Sequence, residues 1–287
     1  MFGIFLLFRL MDNKNHNQLK DEKERAYLYD LYVVPQWREA FDRIADEEIK
    51  LPEEGKFLDA GCGTGSYAID LAIRGGAKVE VVGVDTNAER LALARSKAKV
   101  KKLDRITFQQ GSLPALEIGD REFDFVIGDA SMLPTSEMEK AFAEMARVAK
   151  PEATIGLKLT TRGSFDEFFS IYWESLYNLD LIGYTPQLES MITERLTVTD
   201  AETLATIAGW KQVRSATQKE RFDFADANAF FNSPLIDTFF LDDWLAILPD
   251  PQIRQRVREQ MGKIIDEERH AMDFDVSIKA TLLIGQK

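Results

Sequence analysis

The chain has 287 residues, 45% of them apolar and 29% charged, a balance that suits an ordinary globular protein with a sizeable core. Its 48 acidic residues outweigh 36 basic ones for a formal charge of −12, which repels phosphate backbones and argues against nucleic acid as a partner. One cysteine (Cys62) and two histidines (His16 and His270) exclude an internal disulfide and leave too few ligands for a metal cluster, so no metal and a reducing, cytoplasmic setting are expected.

The opening "MFGIFLLFRLM" is apolar but far shorter than the roughly 20 residues a bilayer span needs, and no stable membrane insertion is expected. A polar stretch follows, then helical spacing from about 21 to 49, where Trp37, Phe41 and Ile44 share a stripe. Pro35 suits a first helical turn, which predicts two helices with a break near Val33–Val34.

Strands and helices then alternate. "KFLDA" reads as a strand, "SYAIDLAIRGG" as a helix, "KVEVVGVD" as a strand and "NAERLALARSKAKVKK" as a helix capped by Asn87. "ITFQQGS" and "FDFVIGDAS" are strands, "SEMEKAFAEMARVAK" is a helix and "ATIGLKLTT" a fifth strand. Such alternation implies right-handed crossovers and a parallel sheet covered on both faces.

Beyond it, "SFDEFFSIYWESLYNL" is an aromatic helix followed by an irregular stretch to about Thr197. A helix over "TDAETLATIAGW", capped by Thr199 or Asp200, leads to a strand through "KQVRSATQ". Two further helices fit "SPLIDTFFLDDWLAIL" and "PQIRQRVREQMGKIIDEERHA", the second ending near His270 as a solvated cap, and "FDVSIKATLLIGQ" is a final alternating strand. The organisation expected is a tail and cap helices over 1–50, then one domain over 51–287 with helical insertions at about 163–197 and 225–272.

"FLDAGCGTG" sets Gly61, Gly63 and Gly65 at alternate positions directly after the first strand. A loop there lies at the carboxyl edge of the sheet, where open α/β folds bind ligands, and glycines permit positive φ and close approach. A dinucleotide site wants G-x-G-x-x-G, whereas Ser66 stands at the third glycine position of that pattern. Asp59, two residues before the first glycine, would repel a pyrophosphate but can accept from an ammonium group or anchor the loop amides. The spacing favours the amino-acid end of S-adenosylmethionine.

The segment resembles motif I of the class I S-adenosylmethionine-dependent methyltransferases, and the resemblance runs over about residues 55–160. "VVGVDTN" is similar to the family's second strand, which implies that Asp85, with Thr86 beside it, meets the ribose hydroxyls. "FQQGSLPAL" resembles the adenine-binding strand end, with Ser112 where the family commonly has aspartate, and implies adenine contacts at Ser112 and Leu113. "FDFVIGDASML" resembles the fourth strand, so that Asp129 faces the methyl group as base or substrate anchor. "AKPEATIG" resembles the turn before the fifth strand, without the acidic pair of metal-dependent relatives.

The fold this implies is α/β and Rossmann-like: a mostly parallel seven-stranded sheet with helices on both faces, an antiparallel last strand, and helical additions at both ends. The methionine end falls to Asp59, Gly61, Cys62, Gly63 and Gly65, with Cys62 a small filler; Tyr32, in the segment that often forms a lid, is placed against the cofactor. Methyl transfer is an in-line displacement that positioning alone can drive, so a missing catalytic dyad is no objection. The aromatic runs around Phe165–Leu176 and Phe222–Phe240 suit a small, partly apolar acceptor, with S-adenosylhomocysteine as the other product, and the protein itself can be an oligomer. Two alternatives stay open: a non-catalytic S-adenosylmethionine-binding sensor or scaffold, and a methyltransferase acting on carrier-protein-linked groups.

Overall fold

The computed structural model describes residues 22–268 and 274–287. The readings made for residues 1–11, His16 and His270 lie outside the described residues.

Seven strands form one sheet: β1 (Gly55–Ala60), β2 (Val79–Asp85), β3 (Ile106–Gln110), β4 (Phe123–Asp129), β5 (Ala149–Thr160), β6 (Lys211–Phe224) and β7 (Phe274–Gln286). Their order is β3-β2-β1-β4-β5-β7-β6, and β7 runs antiparallel to both β5 and β6, so the expected sheet is found. The chain reverses its winding between β1 and β4, whose carboxyl ends abut: a Cβ added at Gly61 would lie 2.7 Å from the Asp129 carbonyl oxygen.

The central strands are nearly continuous apolar runs, as burial on both faces demands. One face packs Phe57, Val81 and Ile127 beneath the amino-terminal helices, α3 (Ser66–Gly75) and α4 (Ala88–Val100). The other packs Leu58, Val84 and Leu157 against α5 (Met138–Val148) and α8 (Val198–Ile207). Asn87 caps α4 by accepting from the Arg90 amide.

The amino-terminal segment does not break at Val33–Val34. Helix α1 (Glu22–Leu28) passes through a π-helical stretch, Tyr29–Arg38, straight into α2 (Glu39–Glu48), with Pro35 inside it. The wider i→i+5 turn accommodates the proline without ending the helix. Two further departures concern the tail. The stretch after α6 (Asp166–Asn178) holds an extra helix, α7 (Thr185–Glu194), with a proline in its first turn. Helix α8 is capped by Thr197 in a reciprocal box with Asp200, ahead of the Thr199 or Asp200 cap that the spacing suggested. After β6 come three short helices, α9 (Ala227–Phe231), α10 (Pro234–Phe239) and α11 (Leu241–Trp244), then the long α12 (Pro251–Glu268). They pack with α6 into an aromatic cap over the amino-terminal helix.

Candidate functional site

The β1–α3 loop is held by the neighbouring strand. The amides of Gly61 and Cys62 both donate to the Val84 carbonyl, at 2.7 and 2.8 Å. Asp85 completes the clamp: one carboxylate oxygen accepts from the Gly63 amide at 2.8 Å and the other from the Asn87 amide at 2.9 Å, with Arg90 at 3.7 Å. Of the two roles open to Asp59, anchoring the loop amides is therefore performed by Asp85.

Gly63 has φ +57°, and a Cβ there would lie 2.7 Å from both Arg38 Nη1 and Tyr29 Cε1. The close neighbours that exclude a side chain are thus parts of the π-helical stretch. Arg38 donates to the Gly61 carbonyl at 2.7 Å and to the Tyr29 hydroxyl at 2.9 Å, and its Nη2 lies 3.2 Å from Asp129 Oδ2. Asp30 fastens the same stretch to the loop, accepting from Thr64 Oγ1 and from Lys97, whose ammonium also donates to Ser66 at 3.0 Å.

Around this loop, buried polar atoms stand without hydrogen bonds among the described residues: both carboxylate oxygens of Asp59, and the ion-paired Nη2 of Arg38 and Oδ2 of Asp129. Unsatisfied buried groups are costly, and their concentration here marks a binding site. Burial pushes the Asp59 carboxyl up to about 6, against the pull of Lys158 and Arg38. Asp129 goes the other way. Burial opposes ionisation, but Arg38, Lys158 and two hydrogen bonds from Ser131 hold its carboxyl below the usual range.

Ser131 connects Asp129 to the aromatic cap. It donates from Oγ to Asp129 at 2.6 Å and accepts from the Trp37 indole at 2.9 Å. Trp37 in turn stacks near-parallel on Phe165, with centroids 5.8 Å apart, and packs against Phe240 at 4.9 Å.

Most of the residues picked from the sequence converge. Asp59, Gly61, Cys62, Gly63, Gly65, Asp85, Thr86 and Asp129 lie on the carboxyl ends of β1, β2 and β4 and the loops that leave them. Ser112 and Leu113 join them through the Gly111 amide, which donates to the Asp85 carbonyl at 3.1 Å. Cys62 is buried, and burial pushes its thiol up, which leaves it an inert filler. Tyr32 forms no hydrogen bond or ring contact among the described residues, and the tyrosine beside Gly63 is Tyr29. Arg38 and Lys158 were not singled out from the sequence. Arg38 is a charge on a helix read as an ordinary amphipathic one, and Lys158 a charge set in the apolar run of the fifth strand.

An open, doubly wound sheet of this order, with a glycine loop after β1, acidic ends on β2 and β4 and an antiparallel seventh strand, defines the class I methyltransferase architecture. Residues 57–152 match the model of the methyltransferase domain family. A demethylmenaquinone methyltransferase of Lactobacillus johnsonii is 30% identical over 144 residues, covering 50% of this chain and 57% of that protein. The chain spans about half the length of the curated relatives it matches. Among solved structures, the YcgJ protein of Bacillus subtilis superposes with a TM-score of 0.55 at 19% identity, over 87% of this chain and 98% of that one. The [4+2]-cyclase SpnF superposes with a TM-score of 0.52 at 17% identity, over 93% and 96%, so the fold is shared by proteins of differing reaction. Among the described residues no helix is long and apolar enough to cross a membrane.

Proposed function

We propose that this protein transfers the methyl group of S-adenosylmethionine to a small, partly apolar acceptor. One observation carries the reading. Beside a single glycine loop, Asp59 offers two buried carboxylate oxygens with no hydrogen-bond partner, and Arg38 a guanidinium nitrogen that donates no hydrogen bond although it is ion-paired with Asp129 at 3.2 Å. The first wants a cation and the second has a donor left for a further anion, which suits a zwitterionic amino acid such as the methionine end of this cofactor.

In this reading Asp59, Arg38 and the backbone of Gly61, Gly63 and Gly65 hold the methionine end, Asp85 with Thr86 the ribose, and Ser112 and Leu113 the adenine. The cofactor supplies an electrophilic methyl group. Asp129, kept ionised by Arg38 and Ser131, is a weak base, and its part is to fix Arg38 and, through Ser131, Trp37. The aromatic cap over Trp37 excludes water and supplies the flat, apolar wall against which an acceptor is aligned. The acidic charge and single cysteine go with a cytoplasmic setting and a small-molecule acceptor rather than nucleic acid.

Calorimetry with S-adenosylmethionine and S-adenosylhomocysteine tests the cofactor half. Incubation with a mixed metabolite extract and detection of S-adenosylhomocysteine tests the transfer half. Micromolar binding with turnover supports the proposal; binding without turnover over a broad acceptor set supports a sensor module instead; no binding at millimolar concentration ends it.

A further inference from the structure

Helix α7 ends at Glu194, and the next residue presents a cation to the aromatic cap. The Arg195 guanidinium lies 5.5 Å from the centroid of the Phe165 ring and 5.6 Å from that of Phe169. The residue is partly buried, and it forms no ion pair and donates no hydrogen bond among the described residues. Burial pulls its pKa down, and the nearby carboxylates of Glu194 and Asp166 only partly offset this. A guanidinium set over two ring faces with none of its donors paired to protein is open to an incoming anion, which adds a charge-assisted hydrogen bond.

The placement is built. Arg162, just past the end of β5, holds the segment that carries Arg195: its backbone amide donates to Leu196 at 2.9 Å, and its guanidinium donates to the carbonyls of Arg195 and Thr193 at 3.1 and 2.5 Å. Phe165, between Arg195 and Trp37, is held at φ +63°, a left-handed conformation rare for an aromatic residue. A line of contacts therefore runs from Asp129 through Ser131, Trp37 and Phe165 to Arg195. The methyl-transfer end of the site stands at one extreme and an unpaired cation at the other, with ring faces between.

We propose that Arg195 binds a carboxylate on the acceptor, so that the acceptor is a monoanionic acid with an aromatic or similarly flat apolar body. This rests on the methyltransferase reading and sharpens it. A monoanion is favoured over a phosphate dianion because the subsite offers one free guanidinium, with two carboxylates of its own close by.

The experiment uses the full chain saturated with S-adenosylhomocysteine and compares 2-naphthoate, the neutral 2-naphthamide and 2-naphthyl phosphate by calorimetry. The wild type should bind naphthoate about tenfold or more tightly than the amide, the scale of a charge-assisted hydrogen bond. Arg195→Met should abolish that preference, Arg195→Lys should keep part of it, and both should bind S-adenosylhomocysteine as the wild type does. The proposal is overturned if the wild type shows no preference for naphthoate, if it binds neither compound at millimolar concentration, if it prefers the phosphate ester, or if Arg195→Met retains the preference. Failure of S-adenosylhomocysteine itself to bind would instead bring down the methyltransferase reading.

Discussion

Lys158 and Asp42 form an ion pair that joins the fifth strand to the amino-terminal helix, with the Lys158 side chain fully buried and its ammonium 3.8 Å from the centroid of the Tyr67 ring. Lys158 pairs in register with Asp129 and lowers the carboxyls of both Asp129 and Asp59. One cation thus ties the helix that carries Arg38 to the two acidic strand ends of the site.

Replacing it with an apolar residue leaves Asp42 and Asp59 buried with less compensation. Lys158→Met should cost about 3–5 kcal/mol of stability, the usual penalty for breaking a buried pair from one side. Urea unfolding at neutral pH measures this. The double variant Lys158→Met, Asp42→Asn should recover part of the loss, and a double variant no more stable than the single would contradict the coupling.

Asp59 gives a pH dependence with a definite sign. Its carboxyl stands at about 6 in the folded protein against an ordinary 3.8, so between those values the native state holds a proton that the unfolded chain has released. This contribution to stability is full below the unfolded value and is lost as pH rises through the folded one. The shift corresponds to about 3 kcal/mol, with no screening discount for a completely buried group. Asp59→Asn should therefore raise the melting temperature near neutral pH, with the gain shrinking towards about pH 4. It should also weaken S-adenosylmethionine binding, which separates stability from function at one position.

Arg38 is assigned to the carboxylate of the amino-acid end, so its loss should be felt only by ligands that have that end. Arg38→Met should weaken S-adenosylhomocysteine by about tenfold or more and 5′-methylthioadenosine by less than about twofold. Equal losses on both compounds would show that Arg38 acts on the shape of the loop instead.

Asp85→Ala removes the acceptor of the Gly63 and Asn87 amides as well as the ribose partner. The expected loss of cofactor affinity is about 1.5–3 kcal/mol, together with a lower melting temperature. Gly63→Val should destabilise the apo protein too, because φ +57° is unfavourable for a β-branched residue and the added atoms meet Arg38 and Tyr29. Thermal melts without ligand check this, and an unchanged melting temperature would count against the contact.

The parts of the fold legible in the sequence were those whose signal is local. Strands β1 to β5 and β7 are short apolar or alternating runs bounded by turns, and the glycine loop has a fixed spacing. Helix α7 was missed because only Leu188 along it is buried, so it lacks an apolar stripe. Asp59, Asp85 and Asp129 could be found because each ends a strand. Arg38 could not, for a geometric reason. Nine residues separate it from Tyr29, which is two and a half turns of an α-helix and puts the two on opposite sides. In the wider π spiral the same separation is about two turns, and they share a face. Arg195 was invisible for another reason: nothing in its neighbours along the chain foretells that its guanidinium will find no acceptor.

The seating of Tyr29 and Arg38 against Gly63 bears on how quickly the protein can be loaded. If the cofactor is to reach the Gly63 backbone, those two side chains have to move aside first, and arrival would then be governed by an internal opening and not by collision. Loading rates would then level off as ligand is added, and shortening either side chain would lift the ceiling.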